Sequence, residues 1–425
     1  MRAAFYTLGC KVNQYETELM KEELIKNGYE IVEENDSPDV FIINSCTVTA
    51  ESDRKTRQMV RKYRRMHKNA VIVLTGCMPQ AFPNEARSLD SADIVLGNGT
   101  NDKLIYAINE FNLTGERQII VLPHNKENIS RTIKTFHDRT KAFLKIEDGC
   151  DRFCSYCIIP YARGRVRSKP IEEIIKEVTS LKDSGFKEVV LIGINLSAYG
   201  KDEGLNLADA VEAVASTGIE RIRLGSMEPD QFNDEIIERL SKVNQLCPQF
   251  HLSLQSGCDV TLRRMNRHYD TKFYFDLVSK LREKFENASI TTDIMVGFAG
   301  ETDEDFKKSV EFLNKVCFAK SHVFAYSIRK GTKAEKLDCH IATDVKRKRS
   351  AIMIESALKC QTVFLNSQVG LTCPVLFENR TRDGFYEGYT PNYTLVKVKS
   401  DMNISGEIID VKLVSVENDY CIGEI

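Results

Sequence analysis

Short runs of apolar residues alternate with amphipathic stretches over roughly the first 115 residues of the chain. A short apolar run bounded by polar residues is typical of a buried strand, whereas apolar positions three and four apart indicate a helix. The pattern predicts strands at 3–8, 40–43, 70–74 and 93–96, and helices at 17–26, 50–67 and 102–111. Strands and helices that alternate in this way predict a parallel sheet flanked by helices.

The stretch 112–141 is mainly polar and is predicted to be a connector, after which the alternation begins again. Strands are predicted at 142–146, 188–192, 221–224, 250–254, 289–296 and 322–326. Helices are predicted between them at 171–182, 208–214, 234–243, 272–285 and 304–316. About six strand–helix units of this kind predict a partial (β/α)6 barrel.

A long helical pattern at 344–365 precedes a change in character. Short alternating runs follow, separated by Gly, Asn and Asp, at 372–377, 385–389, 394–398 and 404–414. Such runs predict a small all-β barrel. The expected fold class is therefore α/β, with an N-terminal sheet domain at 1–115, a central barrel at 136–366 and a small C-terminal β-barrel at 367–425.

Composition limits the classes of protein to consider. The chain has 425 residues, a formal net charge of −2 and 13 cysteines. No apolar run approaches the roughly 18 residues needed to cross a bilayer, and the N-terminus lacks a signal-peptide pattern. We therefore expect a cytoplasmic protein without a membrane partner. Because disulfides are rare in a reducing compartment, clustered cysteines there indicate a metal site.

Cys150, Cys154 and Cys157 form a C-x3-C-x2-C motif. Thiolates are the usual protein ligands of iron–sulfur clusters, and this spacing lets three of them come from one loop. Three ligands leave one iron of a four-iron cluster open to an exogenous chelator, as catalytic metal sites keep an open position. The loop follows a predicted strand and is expected at the C-terminal mouth of the barrel. Zinc is the alternative, although a structural zinc site usually has four ligands.

Cys10, Cys46 and Cys77 are far apart in the sequence, but each stands just after a predicted strand. Because the carboxyl ends of parallel strands share one edge of a sheet, where ligands bind, we expect the three thiols to meet there. Gly9 and Gly76, directly before two of them, fit a tight turn or a close approach to a cofactor. The alternative is three buried cysteines that only pack.

The C-x3-C-x2-C motif within a six-fold strand–helix pattern resembles the radical S-adenosylmethionine (SAM) superfamily. With Cys10, Cys46 and Cys77 ahead of it and a β module behind, the chain is similar to the methylthiotransferase family over essentially its whole length. The resemblance implies three parts: an N-terminal methylthiotransferase domain, a radical SAM core and a C-terminal TRAM domain that holds RNA.

The resemblance also implies the cofactors: two [4Fe-4S] clusters, one on each cysteine set, and two molecules of SAM per turnover. One SAM would yield a 5′-deoxyadenosyl radical that removes hydrogen from carbon 2 of an adenine ring. The cluster on Cys10, Cys46 and Cys77 would carry the sulfur, methylated by the second SAM. The implied partners are tRNA, an electron donor (a reductase or a flavodoxin-like protein) and a sulfur donor.

The same resemblance implies which further residues bind SAM. Those implied to bind SAM stand in the cysteine motif or at predicted strand ends: Tyr156, Gly193, Asn195, Glu228 and Gln255. At the strand-end positions, helix starts and caps are the alternative interpretation.

The segment after the first cysteine bears on the substrate. Lys11-Val12, followed by Gln14-Tyr15-Glu16-Thr17, resembles the branch that acts on N6-threonylcarbamoyladenosine beside the anticodon of tRNA. Isopentenyladenosine in tRNA and an aspartate of a ribosomal protein are competing substrates within the family. A non-catalytic iron–sulfur protein that binds RNA is the alternative from another class.

Basic residues provide candidates for contact with the substrate. A threonylcarbamoyl group carries a carboxylate, which needs a cation or directed N–H donors when it is desolvated. Lys11, Arg163, Arg165 and Arg167 lie close to the two cysteine motifs in the sequence and are candidates; the alternatives are that Lys11 points to solvent and that the arginines pair with carboxylates elsewhere. A basic helix face at 54–68 and tyrosines of the C-terminal module, among them Tyr389 and Tyr393, are candidates for RNA contact, with solvated surface and packing as the alternatives.

Overall fold

The computed structural model describes residues 1–124, 129–133 and 140–425. Its first part is a parallel sheet of six strands in the order β2-β1-β3-β4-β5-β6. The strands are β1 (Arg2–Thr7), β2 (Glu30–Ile31), β3 (Val40–Ser45), β4 (Val71–Gly76), β5 (Ile94–Leu96) and β6 (Gln118–Ile120). The helices are α1 (Lys11–Lys26), α2 (Ala50–Met66), α3 (Cys77–Ala81), α4 (Pro83–Arg87) and α5 (Leu104–Thr114), with a 3-10 helix at Asn98–Lys103.

Two elements of this part differ from the sequence prediction. Helix α1 begins at Lys11 rather than near residue 17, because its first two turns bury polar side chains such as Asn13 and Glu16, which hide the helical periodicity. Strand β6 lies within the stretch predicted to be a connector, and it pairs in parallel with β5. Its short apolar run therefore extends the sheet beyond residue 115.

The central part is an open barrel of parallel strands. The strands are β7 (Lys141–Lys145), β10 (Glu188–Ile192), β11 (Arg221–Leu224), β12 (Ser226–Met227), β13 (Gln249–Leu252), β14 (Ser289–Val296) and β15 (Lys320–Ala325); β8 (Glu147–Asp148) and β9 (Arg167–Ser168) form an antiparallel ribbon at its mouth. Strands β7, β10 and β11 pair side by side, as do β12, β13, β14 and β15. Because β11 and β12 are separated only by Gly225, the array has six positions, as predicted.

Helices follow most of these strands. They are α6 (Ile159–Arg163), α7 (Ile171–Asp183), α8 (Leu207–Ser216), α9 (Asp234–Leu240), α10 (Asp259–Arg264), α11 (Thr271–Lys284), α12 (Asp303–Val316) and α13 (Thr343–Gln368), with 3-10 helices at Leu196–Ala198, Pro229–Gln231 and Lys333–Lys336. The core of the barrel also includes Val12, Tyr15 and Leu19 of α1. The N-terminal domain is thus packed against the barrel through the helix that follows Cys10.

The C-terminal part is a closed barrel of five strands in the order β16-β17-β18-β20-β19. The strands are β16 (Thr372–Arg380), β17 (Phe385–Tyr389), β18 (Leu395–Lys399), β19 (Ile408–Glu417) and β20 (Tyr420–Glu424). Strand β20 is additional to the four predicted runs. The module packs against the central barrel, since Arg221 Nη2 donates to the Pro374 carbonyl at 2.7 Å and Ser289 Oγ to the Asn392 carbonyl at 2.6 Å.

The mixed α/β fold class with a small C-terminal β-barrel is therefore confirmed. Within the described part of the chain, no helix is both long and apolar enough to cross a membrane.

Candidate active site

The structure places Cys10, Cys46 and Cys77 at one edge of the N-terminal sheet. They follow β1, β3 and β4, which are neighbours in that sheet. Gly9 has a φ of +116°, and a Cβ there would lie 3.0 Å from the Cβ of Cys46. Gly76 has a φ of +99°, and a Cβ there would clash with the backbone of Ser45. Both glycines are required because only glycine adopts these φ values freely and lets the cysteine loops approach one another.

Amide side chains support this set of thiols. Cys10 Sγ donates a hydrogen bond of 3.3 Å to Asn13 Oδ1, and Asn98 Nδ2 donates one of 3.5 Å to Cys77 Sγ. Asn13 Nδ2 also donates to the Ser45 carbonyl at 2.9 Å, which ties α1 to β3. Burial raises the pKa of Cys77 to about 12, although Arg163 opposes this. A thiolate at this position therefore needs a strong cationic partner such as a metal centre.

The second set, Cys150, Cys154 and Cys157, lies in the loop after β8. Gly149 precedes it with a φ of +94°, and a Cβ there would clash with the Arg165 carbonyl oxygen. The Cys157 amide donates to the Cys154 carbonyl at 3.0 Å, which forms a tight turn between the two cysteines. Burial raises the pKa of Cys154, which again favours a metal-bound thiolate over a free one.

Neither cysteine set has the geometry of a single-ion site. Among the described residues, no group of three or more His, Cys, Asp or Glu side chains converges closely enough to hold one metal ion. Each cysteine of a four-iron cluster binds a different iron, so the three sulfurs need not converge on one point. The pure-thiol donor sets fit an iron–sulfur cluster, for which thiolates are the usual ligands.

Arg267 supports the second set, although no sequence pattern pointed to it. Its Nη1 donates a hydrogen bond of 3.3 Å to Cys154 Sγ and lies 3.1 Å from Glu228 Oε1. Its Nη2 donates to the Ser253 carbonyl at 3.0 Å. No local sequence signal distinguishes this arginine, because Cys154, Glu228 and Ser253 are 113, 39 and 14 residues away in the chain.

The residues expected to bind SAM lie at the C-terminal ends of the barrel strands, on the same side as this loop. Asn195 is buried, and neither atom of its side-chain amide has a hydrogen-bond partner among the described residues. Gln255 Oε1 and Glu147 Oε1 are buried and unpartnered as well. Because native proteins rarely bury polar atoms without partners, these atoms fit a polar ligand such as SAM.

Gly193 and Glu147 shape the floor of this region. The backbone N–H of Asn195 donates to Glu147 Oε2 at 2.7 Å, and a Cβ on Gly193 would lie 2.6 Å from the same oxygen. Glu147 was not singled out from the sequence. Tyr156, in the cysteine loop, is half-buried, with its ring edge-on to Phe298 at 6.2 Å.

The three arginines proposed to contact substrate have different environments. Arg163 is completely buried, and its Nη2 lies 3.1 Å from both Asn13 Oδ1 and Glu16 Oε2. Arg167 is buried and donates to the carbonyl oxygens of Arg163 and Arg165 at 3.0 and 2.8 Å. Arg165 is exposed and lies 3.1 Å from Asp151. Only Arg165 is thus open to solvent.

Arg163 belongs to a buried charged network between the two cysteine sets. Lys145 Nζ lies 3.2 Å from both Glu16 Oε1 and Asp148 Oδ2, and Arg163 lies 3.4 Å from Asp148. Burial opposes ionisation of Asp148, but Lys145, Arg163 and Arg167 outweigh it and hold the pKa of this carboxyl below its usual range. Because Glu16 lies on α1 and Asp148 on β8, the network joins the loops that carry Cys10 and Cys150.

In both regions expected to contact RNA, some of the candidate side chains make contacts within the protein instead of facing solvent. Arg64 of α2 donates to the Ala70 carbonyl at 2.9 Å, whereas Arg61 and Arg65 are exposed. Tyr389 and Tyr393 stack on each other, with ring centres 4.4 Å apart. Lys141 of the central barrel lies over both rings, so these tyrosines help to join the two barrels.

Comparisons with known proteins agree with this architecture. Residues 144–313 match the model of the radical SAM superfamily, and residues 2–97 match that of the uncharacterized protein family UPF0004. A solved structure of the radical SAM methyltransferase TsrM from Kitasatospora setae, with cobalamin and a [4Fe-4S] cluster bound, has a TM-score of 0.55. It covers 76% of this chain and 74% of its own at 14% identity, and so shows a shared fold.

Curated relatives are similar along nearly the whole chain. The threonylcarbamoyladenosine tRNA methylthiotransferase MtaB of Thermotoga maritima is 38% identical over 97% of this chain and 94% of its own length. The MtaB of Bacillus subtilis is 36% identical over 99% and 95%. The tRNA-2-methylthio-N(6)-dimethylallyladenosine synthase of Clostridium botulinum is 33% identical over 98% and 95%. The chain therefore belongs to the radical SAM tRNA methylthiotransferases, enzymes that act on tRNA with SAM and a [4Fe-4S] cluster.

Proposed function

We propose that this enzyme converts N6-threonylcarbamoyladenosine beside the anticodon of tRNA to its 2-methylthio derivative. The Lys11-Val12 segment after Cys10 supports this substrate, as do the relatives in T. maritima and B. subtilis that are named for it. The C. botulinum relative, named for the dimethylallyl substrate, favours isopentenyladenosine as the second candidate. Membership of this enzyme family excludes the non-catalytic RNA-binding protein considered from the sequence.

The observation that carries the proposal is the juxtaposition of two cysteine sets across a domain interface. Cys10 contacts Asn13, Asn13 contacts Arg163, and Arg163 follows the Cys150–Cys157 loop in the chain. We assign one [4Fe-4S] cluster to Cys150, Cys154 and Cys157 and a second, which carries the transferred sulfur, to Cys10, Cys46 and Cys77. A methylthiotransferase needs both functions close together, because the substrate radical must meet the sulfur before it is quenched.

Cys150, Cys154 and Cys157 would hold the cluster whose chemistry, with one electron from a reductant, would cleave SAM to methionine and a 5′-deoxyadenosyl radical for removal of the hydrogen at carbon 2 of the adenine. The surrounding residues would hold and orient SAM and the cysteine ligands. Asn195, Gln255 and Glu147 offer unpartnered polar atoms to SAM, and Tyr156 and Gly193 shape the same space. Arg267, fixed by Glu228, holds Cys154 by a hydrogen bond.

Two further partners complete the reaction. A reductase or flavodoxin-like protein would provide the electron for cleavage of SAM, and a separate donor would replace the sulfur. We place the reaction in the cytoplasm, where tRNA is modified.

The test is a paired assay on two anticodon stem-loops, one with threonylcarbamoyladenosine and one with isopentenyladenosine. The protein is reconstituted with iron and sulfide under anaerobic conditions, and product is measured by mass spectrometry beside release of 5′-deoxyadenosine. We expect methylthio product from the threonylcarbamoyl stem-loop. Product from the isopentenyl stem-loop alone would refute the substrate assignment. The variant in which Cys150, Cys154 and Cys157 are all alanine is the control, and it should release no 5′-deoxyadenosine.

A further inference from the structure

A cavity of about 390 Å³ lies inside the central barrel, between the Cys10 loop and the C-terminal module. Its walls are side chains of β11, β13, β14 and β15, and its floor is the loop of the C-terminal barrel around Asn392 and Tyr393. Lys11 and the segment Leu224 to Ser226, where β11 ends and β12 begins, also line it. The volume falls in the range of about 300–1,000 Å³ typical of small-molecule sites.

Among the described residues, the lysine and arginine side chains that line this cavity are paired with carboxylates, with one exception, and the carboxylate of Asp293 in its wall lies beside His251. Arg223 binds Glu188 through two hydrogen bonds of 2.8 and 3.0 Å, and Lys320 lies 3.9 Å from Asp419. Lys11 makes no ion pair with any described residue; its ammonium lies 5.7 Å from the centre of the Phe143 ring. The cavity therefore presents one uncompensated cation, which an anionic ligand would complement.

Strands β13, β14 and β15 add polar groups to the lining of the cavity. His251 Nδ1 shares a hydrogen bond of 3.0 Å with Thr291 Oγ1, and its Nε2 lies 3.3 Å from Asp293. His322 lies beside it, with ring centres 6.1 Å apart, and its ring makes no hydrogen bond to the described part of the chain. A ligand with a carboxylate and a hydroxyl or amide could bind Lys11 and His322 together.

We propose that this cavity is the binding site for the N6 substituent of the substrate adenosine, with Lys11 as the partner of its carboxylate. The inference rests on the proposed threonylcarbamoyl substrate and deepens it. Lys11 directly follows Cys10, so a substituent held here keeps its adenine beside the sulfur-carrying cysteine set. The C-terminal module thereby contributes to substrate selection, since its Asn392–Tyr393 loop closes the floor of the cavity.

The experiment compares two stem-loops that differ in one group: threonylcarbamoyladenosine and the same nucleoside with its carboxylate replaced by a primary amide. The wild-type enzyme should show a KM about 10- to 100-fold lower for the carboxylate, as expected for a hydrogen bond to a charged group. Lys11→Met should abolish this preference by raising the KM for the carboxylate substrate alone. Lys11→Arg should retain most of it.

Matched variants separate this role from cluster assembly. Lys26→Met changes an exposed lysine at the other end of α1 and should keep the wild-type preference. His322→Leu, on β15 and away from both cysteine sets, should raise the KM for the carboxylate substrate with unchanged iron content and unchanged SAM cleavage.

Two results would overturn this inference but not the proposed function, provided that the wild type modifies the threonylcarbamoyl stem-loop. One is a preference for the carboxylate substrate that survives Lys11→Met, and the other is an unchanged KM for that substrate in His322→Leu. Wild-type product from an isopentenyl stem-loop only would overturn both the inference and the proposed function.

Discussion

Arg163 Nη2 lies 3.1 Å from Asn13 Oδ1, the same oxygen that accepts the hydrogen bond of Cys10 Sγ at 3.3 Å. A side chain from the radical SAM barrel thus helps to fix the first cysteine of the N-terminal domain. The same guanidinium pairs with Glu16 and Asp148, and none of these groups is open to solvent. The interface between the two domains is therefore held by charges as well as by apolar packing.

Replacement of Arg163 by Met should destabilise the protein strongly. Removing one partner of a buried ion pair typically costs about 3–5 kcal/mol, and Glu16 would keep Lys145 as its one remaining ionic partner among the described residues. We expect a clear fall in the thermal unfolding midpoint. Arg165→Met, which changes an exposed arginine two residues away, is the control and should unfold at the wild-type temperature. Equal midpoints for the two variants would contradict a structural role for the network.

Replacement of Cys10, Cys46 and Cys77 by Ala should separate the two chemical steps. The reconstituted wild type should bind about eight iron atoms per chain, four in each cluster. The triple variant should bind half of them and still cleave SAM reductively, because Cys150, Cys154 and Cys157 remain. Methylthio product should disappear. Chemical analysis measures the iron content, and chromatography measures the 5′-deoxyadenosine released. Methylthio product from the triple variant would show that these three cysteines only pack.

Exposed arginines of the C-terminal module should contribute to tRNA binding. Arg380, at the end of β16, and Arg382, in the turn before β17, are both exposed. Changing both to Gln should weaken tRNA binding and reduce the slope of log K against log salt by about 0.7–0.9 for each phosphate that is no longer neutralised. Lys272→Gln, on the outside of α11, should leave the slope unchanged. A wild-type slope in the double variant would instead place tRNA on the face of α2 that carries Arg61 and Arg65.

Glu188 should make stability depend on pH in the acid range. Burial opposes its ionisation, but Arg223 outweighs this and lowers the pKa of Glu188 below its usual value. The stabilisation is therefore complete above the unfolded pKa of about 4.3 and is lost as the pH falls through the lower folded value. The difference in unfolding midpoint between wild type and Glu188→Gln should be large at pH 6 and should shrink towards pH 3. Glu304→Gln, an exposed control, should show no such trend.

Much of the architecture could be predicted from the sequence because it is encoded locally. The strands at 188–192, 221–224 and 289–296 were predicted with the bounds that the structure shows. Apolar runs mark buried strands because a strand covered on both faces has no polar side to show. The placement of Cys10, Cys46 and Cys77 at one sheet edge also followed, since parallel strands have a common carboxyl edge.

The tertiary structure, and not the sequence, shows which charged side chains lie beside the cysteine sets and the cavity. Arg163 and Arg167 were candidates for substrate contact or for pairing with carboxylates, and the structure buries Arg163 between the domains and Arg167 against carbonyl oxygens of its own loop, while Lys11 lines the barrel cavity. Arg267 and Glu147 gave no sequence signal at all. The physical reason is that a charge is buried only where partners from distant segments neutralise it, and local periodicity carries no information about such partners. Sequence alone thus determined the strands and the thiols at their ends, and the fold decided their charged neighbours.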